Sequence, residues 1–221
     1  MEGKGFMKYT EAIYEGEWKN GKNEGKGKIT IFLEEGKCDI YEGEWKNGVK
    51  NGYGKYKFHD GKEYVGDFVN NQLDGFGTMD YPEGYYEGYW KNNQRNGKGI
   101  MKFFKGDYAG DEYEGYWKDD EEHGKGKKTY EDGSYYDGEW SYGTYNGYGI
   151  LKIPDGIYEG EFKDGYREGK WKMTYTEEYR GVYEGEWKHG KRHGRGVTTK
   201  YGERTVADWY EEVDIWMLGE I

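Results

Sequence analysis

The side chains able to do chemistry are scattered along this chain. Of the four histidines, His59, His123, His189 and His193, only the last two are close, in "WKHGKRHGRG". Two imidazoles hold a zinc ion only when further ligands join them. Their neighbours here are Lys188, Lys191, Arg192 and Arg195, which repel a cation, so no metal is expected. Cys38 is the single cysteine, so no intrachain disulfide can form, and with no base nearby it reads as an incidental thiol. The 44 acidic residues fall on segments that read as solvated, without the burial that gives one carboxyl an acid's role and another a base's. Glycine-rich pieces such as "GKGK" lack the strand, glycine turn and helix of a phosphate loop. No active site and no cofactor are predicted; the chain reads as a non-enzyme.

What orders the sequence is glycine beside aromatic rings. Its 221 residues are 33% hydrophobic and 19% aromatic, with 40 glycines, 26 tyrosines and 9 tryptophans. Low hydrophobicity with a net charge of -11 points towards disorder, yet disordered chains are poor in aromatics. A ring burying roughly 200 Å² at ~25 cal/mol/Å² contributes about 5 kcal/mol as an upper bound. The expected product is a thin aromatic layer without a thick aliphatic core. No apolar run approaches the ~20 residues of a membrane span. The start, "MEGKGFMKYTEAI", has no signal-like apolar stretch. The acidic balance speaks against nucleic acid as a partner. A cytoplasmic setting is expected.

The organisation is a repeat. Tyr14, Tyr41, Tyr64, Tyr86, Tyr113, Tyr136, Tyr158 and Tyr183 open eight units. Each is followed by glycine two residues on, tryptophan or phenylalanine four on, and a second glycine eleven on. A further glycine stands at +13 in every unit but one, where Trp171 replaces it. Period two describes strands, and the residue at +7 is always Gly, Asn or Asp, types that accept a positive φ. Each unit therefore reads as a β-hairpin. Tyr14, Gly16 and Trp18 share one face; Glu15 and Glu17 share the other, where second strands bring Lys26 and Lys28.

The pattern Tyr-x-Gly-x-Trp-x-x-Gly-x-x-x-Gly-x-Gly, best seen in "YEGEWKNGKNEGKG", "YEGEWKNGVKNGYG" and "YEGEWKHGKRHGRG", resembles the MORN (membrane occupation and recognition nexus) repeat. The resemblance covers residues 14–202. It implies an all-β fold, an elongated, twisted, single-layer antiparallel sheet with one hairpin per repeat. It also implies a non-catalytic scaffold in a cytoskeletal or membrane-associated assembly, with phospholipid binding, self-association or peptide capture as its activities. The pattern is broken at Phe68 and Phe162, at Trp171, and in the eighth unit, which runs into "TTKYGERT" without an evident second strand.

The ends differ from the middle. Residues 1–13 carry Gly3 and Gly5, which match the second strand of a half-repeat, and its edge is a self-association point. Residues 203–221 read as a capping helix over 206–218, with a partner-binding helix as the alternative, since Val206, Trp209, Val213, Trp216 and Met217 recur at helical spacing. Unit starts are spaced 27, 23, 22, 27, 23, 22 and 25 residues, so repeats three apart correspond at an offset of 72 as far as the unit at Tyr158, and the last spacing breaks the rule.

Function is expected where the repeats disagree. On the charged face the middle units place Tyr53, Val65, Phe76, Tyr89, Ile100, Tyr116, Tyr148 and Ile150, which predict an apolar stripe for a protein or peptide partner. The glycine–aromatic face is the competing surface. The alternative function is peripheral binding of anionic lipid through Lys188, Lys191, Arg192 and Arg195.

Overall fold

The computed structural model describes residues 2–176 and 181–210. These residues form eighteen strands and one 3-10 turn, Glu34–Gly36, with no α-helix among them. Contacts divide the chain into two units, residues 1–110 with 117–120 and residues 111–116 with 121–221. The first holds β1 (Gly3–Lys8), β2 (Ala12–Lys19), β3 (Lys22–Phe32), β4 (Cys38–Lys46) and β5 (Val49–Lys57). It continues with β6 (Glu63–Val69), β7 (Gln72–Tyr81), β8 (Gly84–Lys91) and β9 (Gln94–Phe103). Each strand pairs antiparallel with the next. After β10 (Glu112–Lys118), the second unit runs through β11 (Glu121–Thr129), β12 (Tyr135–Ser141), β13 (Thr144–Ile153) and β14 (Gly156–Lys163). It ends with β15 (Tyr166–Tyr175), β16 (Gly181–Lys188), β17 (Lys191–Lys200) and β18 (Glu203–Trp209). From β11 onwards these strands also pair antiparallel in sequence order.

Two backbone devices build each hairpin. The turn is a pair of left-handed residues: φ is 47–52° at +6, from Asn20 to His189, and 67–88° at +7, from Gly21 to Gly190. Consecutive positive φ values match the right-handed twist of the strands they join. Only the +7 residue types announced this turn; +6 includes Tyr142, held at φ 47° despite its size. The second device is a bulge. Pairing slips after the +2 glycine, as between Gly16 and Trp18, and the +11 glycine takes φ 56–118°. That conformation excludes other residues without strain.

The core is a ladder of rings on one face. The eight unit-opening tyrosines are fully buried. Within each unit they meet the Trp or Phe of their own repeat and that of the next, edge to face. In the first unit Tyr14 lies between Trp18 and Trp45 at 5.2 Å each, and Tyr64 between Phe68 at 5.2 Å and Trp90 at 5.5 Å. In the second, Tyr158 lies between Phe162 at 5.1 Å and Trp187 at 5.3 Å. Such pairs add roughly 0.5–1.5 kcal/mol beyond area burial. Every one of these tyrosines lies over glycine and donates its hydroxyl to the carbonyl three residues on, at 2.8–3.1 Å.

Two features at the end of the chain differ from the expected ones. The eighth repeat has a full second strand, β17, paired with β16 from Gly181↔Lys200 to Lys188↔Lys191. The helix expected over 206–218 is absent from its start: Glu203–Trp209 is strand β18, and 211–218 lie outside the described residues. Thr205, Ala207 and Trp209 occupy the slots of Tyr, Gly and Trp in a ninth first strand. Ala207 faces Gly196, Trp209 faces Gly194, and the indole meets Tyr183 at 5.8 Å and 88°. Docking on an existing ring outweighs helical spacing carried by a few apolar residues. At the other end β1 pairs with β2 as the half-repeat reading expects, Gly5 facing Gly16. At the irregular repeat, Glu159↔Lys172 is followed directly by Glu161↔Glu168, so Trp171 lacks the pairing with Gly160 that glycine makes elsewhere, while it still faces Gly185 on β16.

A Cβ on Gly88 would stand 2.5 Å from the Cα of Gly99 and against the Tyr86 hydroxyl. Gly88→Ala is therefore expected to lower stability by about 3 kcal/mol. Tyr86→Phe, which leaves the Tyr89 carbonyl without its donor, should cost about 1–2 kcal/mol. Urea denaturation of both variants checks the order; equal stability of Gly88→Ala and wild type contradicts it.

Candidate functional site

The +2 and +13 glycines line up across neighbouring strands. In the first unit Gly5, Gly16, Gly27, Gly43, Gly54, Gly66, Gly77, Gly88 and Gly99 stand side by side on nine strands. One side of this row is roofed by the tyrosine rings. On the other, charged side, the row is a floor without side chains. The residues before and after each glycine rise as two walls, about 7 Å apart along the strand. The result is a groove of about 990 Å³ over β1–β5. Its walls carry Lys4 and Phe6, Glu15 and Glu17, Lys26 and Lys28, Glu42 and Glu44, Tyr53 and Lys55. Cross-strand pairs alternate in sign, Glu15↔Lys28, Lys26↔Glu44 and Lys28↔Glu42, as the sequence pattern expects.

The predicted stripe residues occupy these walls. Phe76 and Tyr89 face each other across β7 and β8, 46% and 51% exposed, with rings 5.4 Å apart. Tyr53 is exposed but is separated from Phe76 by Asp67 on β6. Val65 and Ile100 lie on the opposite wall, half-buried, facing Lys55 and Thr78, and Glu87, respectively. In the second unit Tyr116 and Tyr148 are exposed and Ile150, half-buried, pairs with Asp137 and Glu159. Tyr148 gains a neighbour that the sequence did not promise, Trp171, with rings 5.4 Å apart. The stripe is thus a set of aromatic pairs punctuated by charge. Asp67 also helps shape its wall: its carboxylate accepts the Phe76 N–H at 3.1 Å.

The four basic residues proposed for lipid do not share one surface. Arg192 stacks on the ring ladder, 4.8 Å from the Tyr183 ring and 4.7 Å from Trp209. Lys188 and Lys191 flank the hairpin tip, and Arg195 faces Asp208 across β17 and β18. Cys38 is half-buried opposite Phe32. Among the described residues no group of three His, Cys, Asp or Glu side chains could hold a metal ion.

One position was missed, +9, which holds Asn23, Lys50, Leu73, Arg95, Glu122, Tyr145, Arg167 and Arg192. Its parity with the +11 glycine places it on the ring face, opposite the Trp or Phe of its own repeat, as in Trp90↔Arg95. Cations there lie on the ladder. Arg95 is 4.1 Å from the Trp117 ring and bonds Asp120; Arg167, buried, is 4.2 Å from Trp187 and donates to the Gly190 carbonyl at 3.0 Å. Lys50 Nζ stands 4.3 Å over Tyr56 and 5.5 Å over Tyr41. Burial pushes its ammonium down to about 8, against a smaller upward pull from Asp39.

The model of the MORN repeat family matches residues 14–31, 41–63, 64–84, 86–108, 113–135, 136–157, 158–176 and 183–201. The chain belongs to the MORN repeat family. Each matched stretch opens on one of the eight ladder tyrosines. Comparison with curated proteins gives no match. MORN repeats are often protein- or membrane-interaction modules.

The folded chain releases the Lys50 proton at lower pH than the unfolded chain, so the fold binds fewer protons between about pH 8 and 10.5. Wild type should therefore gain stability relative to Lys50→Met as pH rises through that window. Lysine ε-carbon NMR should show one resonance titrating near pH 8, absent from Lys50→Met; no such resonance contradicts the burial argument.

Proposed function

We propose that this MORN protein is a non-catalytic scaffold whose charged, glycine-floored face receives a protein or peptide partner in the cytoplasm, within a cytoskeletal or membrane-associated assembly. The observation that carries this reading is the exposed Phe76–Tyr89 pair on the wall of the glycine row. Paired rings held by a sheet lose little conformational freedom on binding and are effective anchors. Alternating Lys and Glu along the rest of the groove favour a partner segment of mixed charge and supply selectivity more than affinity. Self-association through β1, whose Phe6 is 59% exposed, belongs to the same reading.

Affinity capture with the full chain should recover a partner that Phe76→Ser with Tyr89→Ser no longer retains, a loss of at least about tenfold in affinity. Retention of that partner at unchanged affinity overturns the assignment of the groove. Lipid is the alternative occupant. With Arg192 committed to the ladder, only Lys188, Lys191 and Arg195 are left to tether, about 1 kcal/mol each. Flotation with anionic vesicles at low salt should therefore leave the protein unbound; co-flotation that is abolished by Lys188→Ala with Lys191→Ala would replace the protein partner with a membrane.

A further inference from the structure

On the opposite, ring face, the first unit contains a pocket of about 360 Å³. Lys50, Tyr56, Phe58, Leu73, Met79 and Trp90 are among the residues that line it. The Lys50 ammonium makes no hydrogen bond or ion pair among the described residues; its neighbours are the faces of Tyr41, Tyr56 and Phe68. The other charges at the pocket are satisfied. Lys62 pairs with Asp60 at 2.8 Å, Asp120 with Arg95, and Asp39 accepts from the Tyr56 hydroxyl and His59. Asn71, Tyr81, Asn93 and Asp120 also line the pocket, yet none of them pairs with the Lys50 ammonium, whose three donors face rings and leave the site incomplete.

The second unit offers a comparison. Repeats three apart correspond at an offset of 72 residues, which maps Leu73 onto Tyr145, Phe58 onto Tyr130, Lys50 onto Glu122 and Tyr56 onto Lys128. There the equivalent space is filled from within. The Tyr145 ring stacks on Tyr136 at 3.8 Å and 16°, its hydroxyl meets that of Tyr130, and Lys128 pairs with Glu122 at 3.9 Å. The second unit thus holds an aromatic ring beside an amine–carboxylate pair; in the first, Lys50 stands in the carboxylate's place, Tyr56 in the amine's, and Leu73 leaves the ring slot unfilled. The geometry points to a binding site in the first unit for an apolar carboxylate, an aryl group whose anion meets Lys50. The source is either a free acid or the terminal carboxylate of a chain ending in an aromatic residue. This site lies on the ring face and shares no residue with the Phe76–Tyr89 anchor, so each reading stands or fails alone.

The test is methyl NMR of the full chain labelled at methionine, titrated with 3-phenylpropionate, with its amide, and with an acetylated peptide ending in phenylalanine. The Met79 methyl should shift saturably with 3-phenylpropionate, and the uncharged amide should bind at least about tenfold more weakly. Lys50→Met should weaken the acid by a similar factor. Leu73→Tyr, which places in the pocket the ring that Tyr145 carries in the second unit, should abolish the response. The Met101 methyl, buried on β9 of the same unit and outside the pocket lining, reports that both variants are folded. Tighter binding of the peptide assigns the chain terminus, and equal binding assigns the free acid. No Met79 shift, equal binding of acid and amide, or an unchanged response in Leu73→Tyr overturns the proposal.

Discussion

Each tyrosine hydroxyl that crosses a glycine to reach the carbonyl three residues ahead holds its hairpin in shape. That carbonyl lies beside the bulge that follows the +2 glycine, where pairing shifts, and a buried carbonyl left without a donor is costly. Tyrosine supplies the donor, but its ring must lie flat over backbone, so the residues beneath it carry no side chain. The ring is then fixed where two indole or phenyl edges meet it. Glycine, tyrosine and tryptophan are thus one arrangement seen from three sides, and a change in any of them disturbs the others.

Much of this was legible in the sequence. The unit starts, the strand faces and the +7 turn residues follow from period two and from the residue types that accept positive φ. What period two does not reveal is why the +11 glycine is needed. A glycine at a bulge and a glycine under a ring look alike in a sequence, and only the backbone angles separate them. The +9 position was disguised by its variety. Arginine and lysine there suggest solvent, yet their cationic heads rest on ring faces, an attraction of about 0.5–2 kcal/mol that composition does not reveal.

β18 was misread for a related reason. "TVADW" keeps only the tryptophan of the repeat pattern, and Thr205 and Ala207 weaken its resemblance to a first strand. The strand forms because Tyr183 presents an edge that Trp209 can meet, a tertiary contact with no local signature. The candidate groove lay between these cases. Its wall residues could be named from parity, but whether they touch depends on which charged residue stands between them. Asp67 separates Tyr53 from Phe76, whereas nothing separates Phe76 from Tyr89.

The glycine floor has an evolutionary consequence. Because the floor and the rings above it are fixed by folding, they have almost no freedom to drift. The wall residues point away from the ladder and contribute little to it, so they can be exchanged without endangering the sheet. A lineage built on this plan can acquire a new binding specificity by rewriting alternate positions alone, and divergence among such proteins should concentrate in those walls while the floor stays silent.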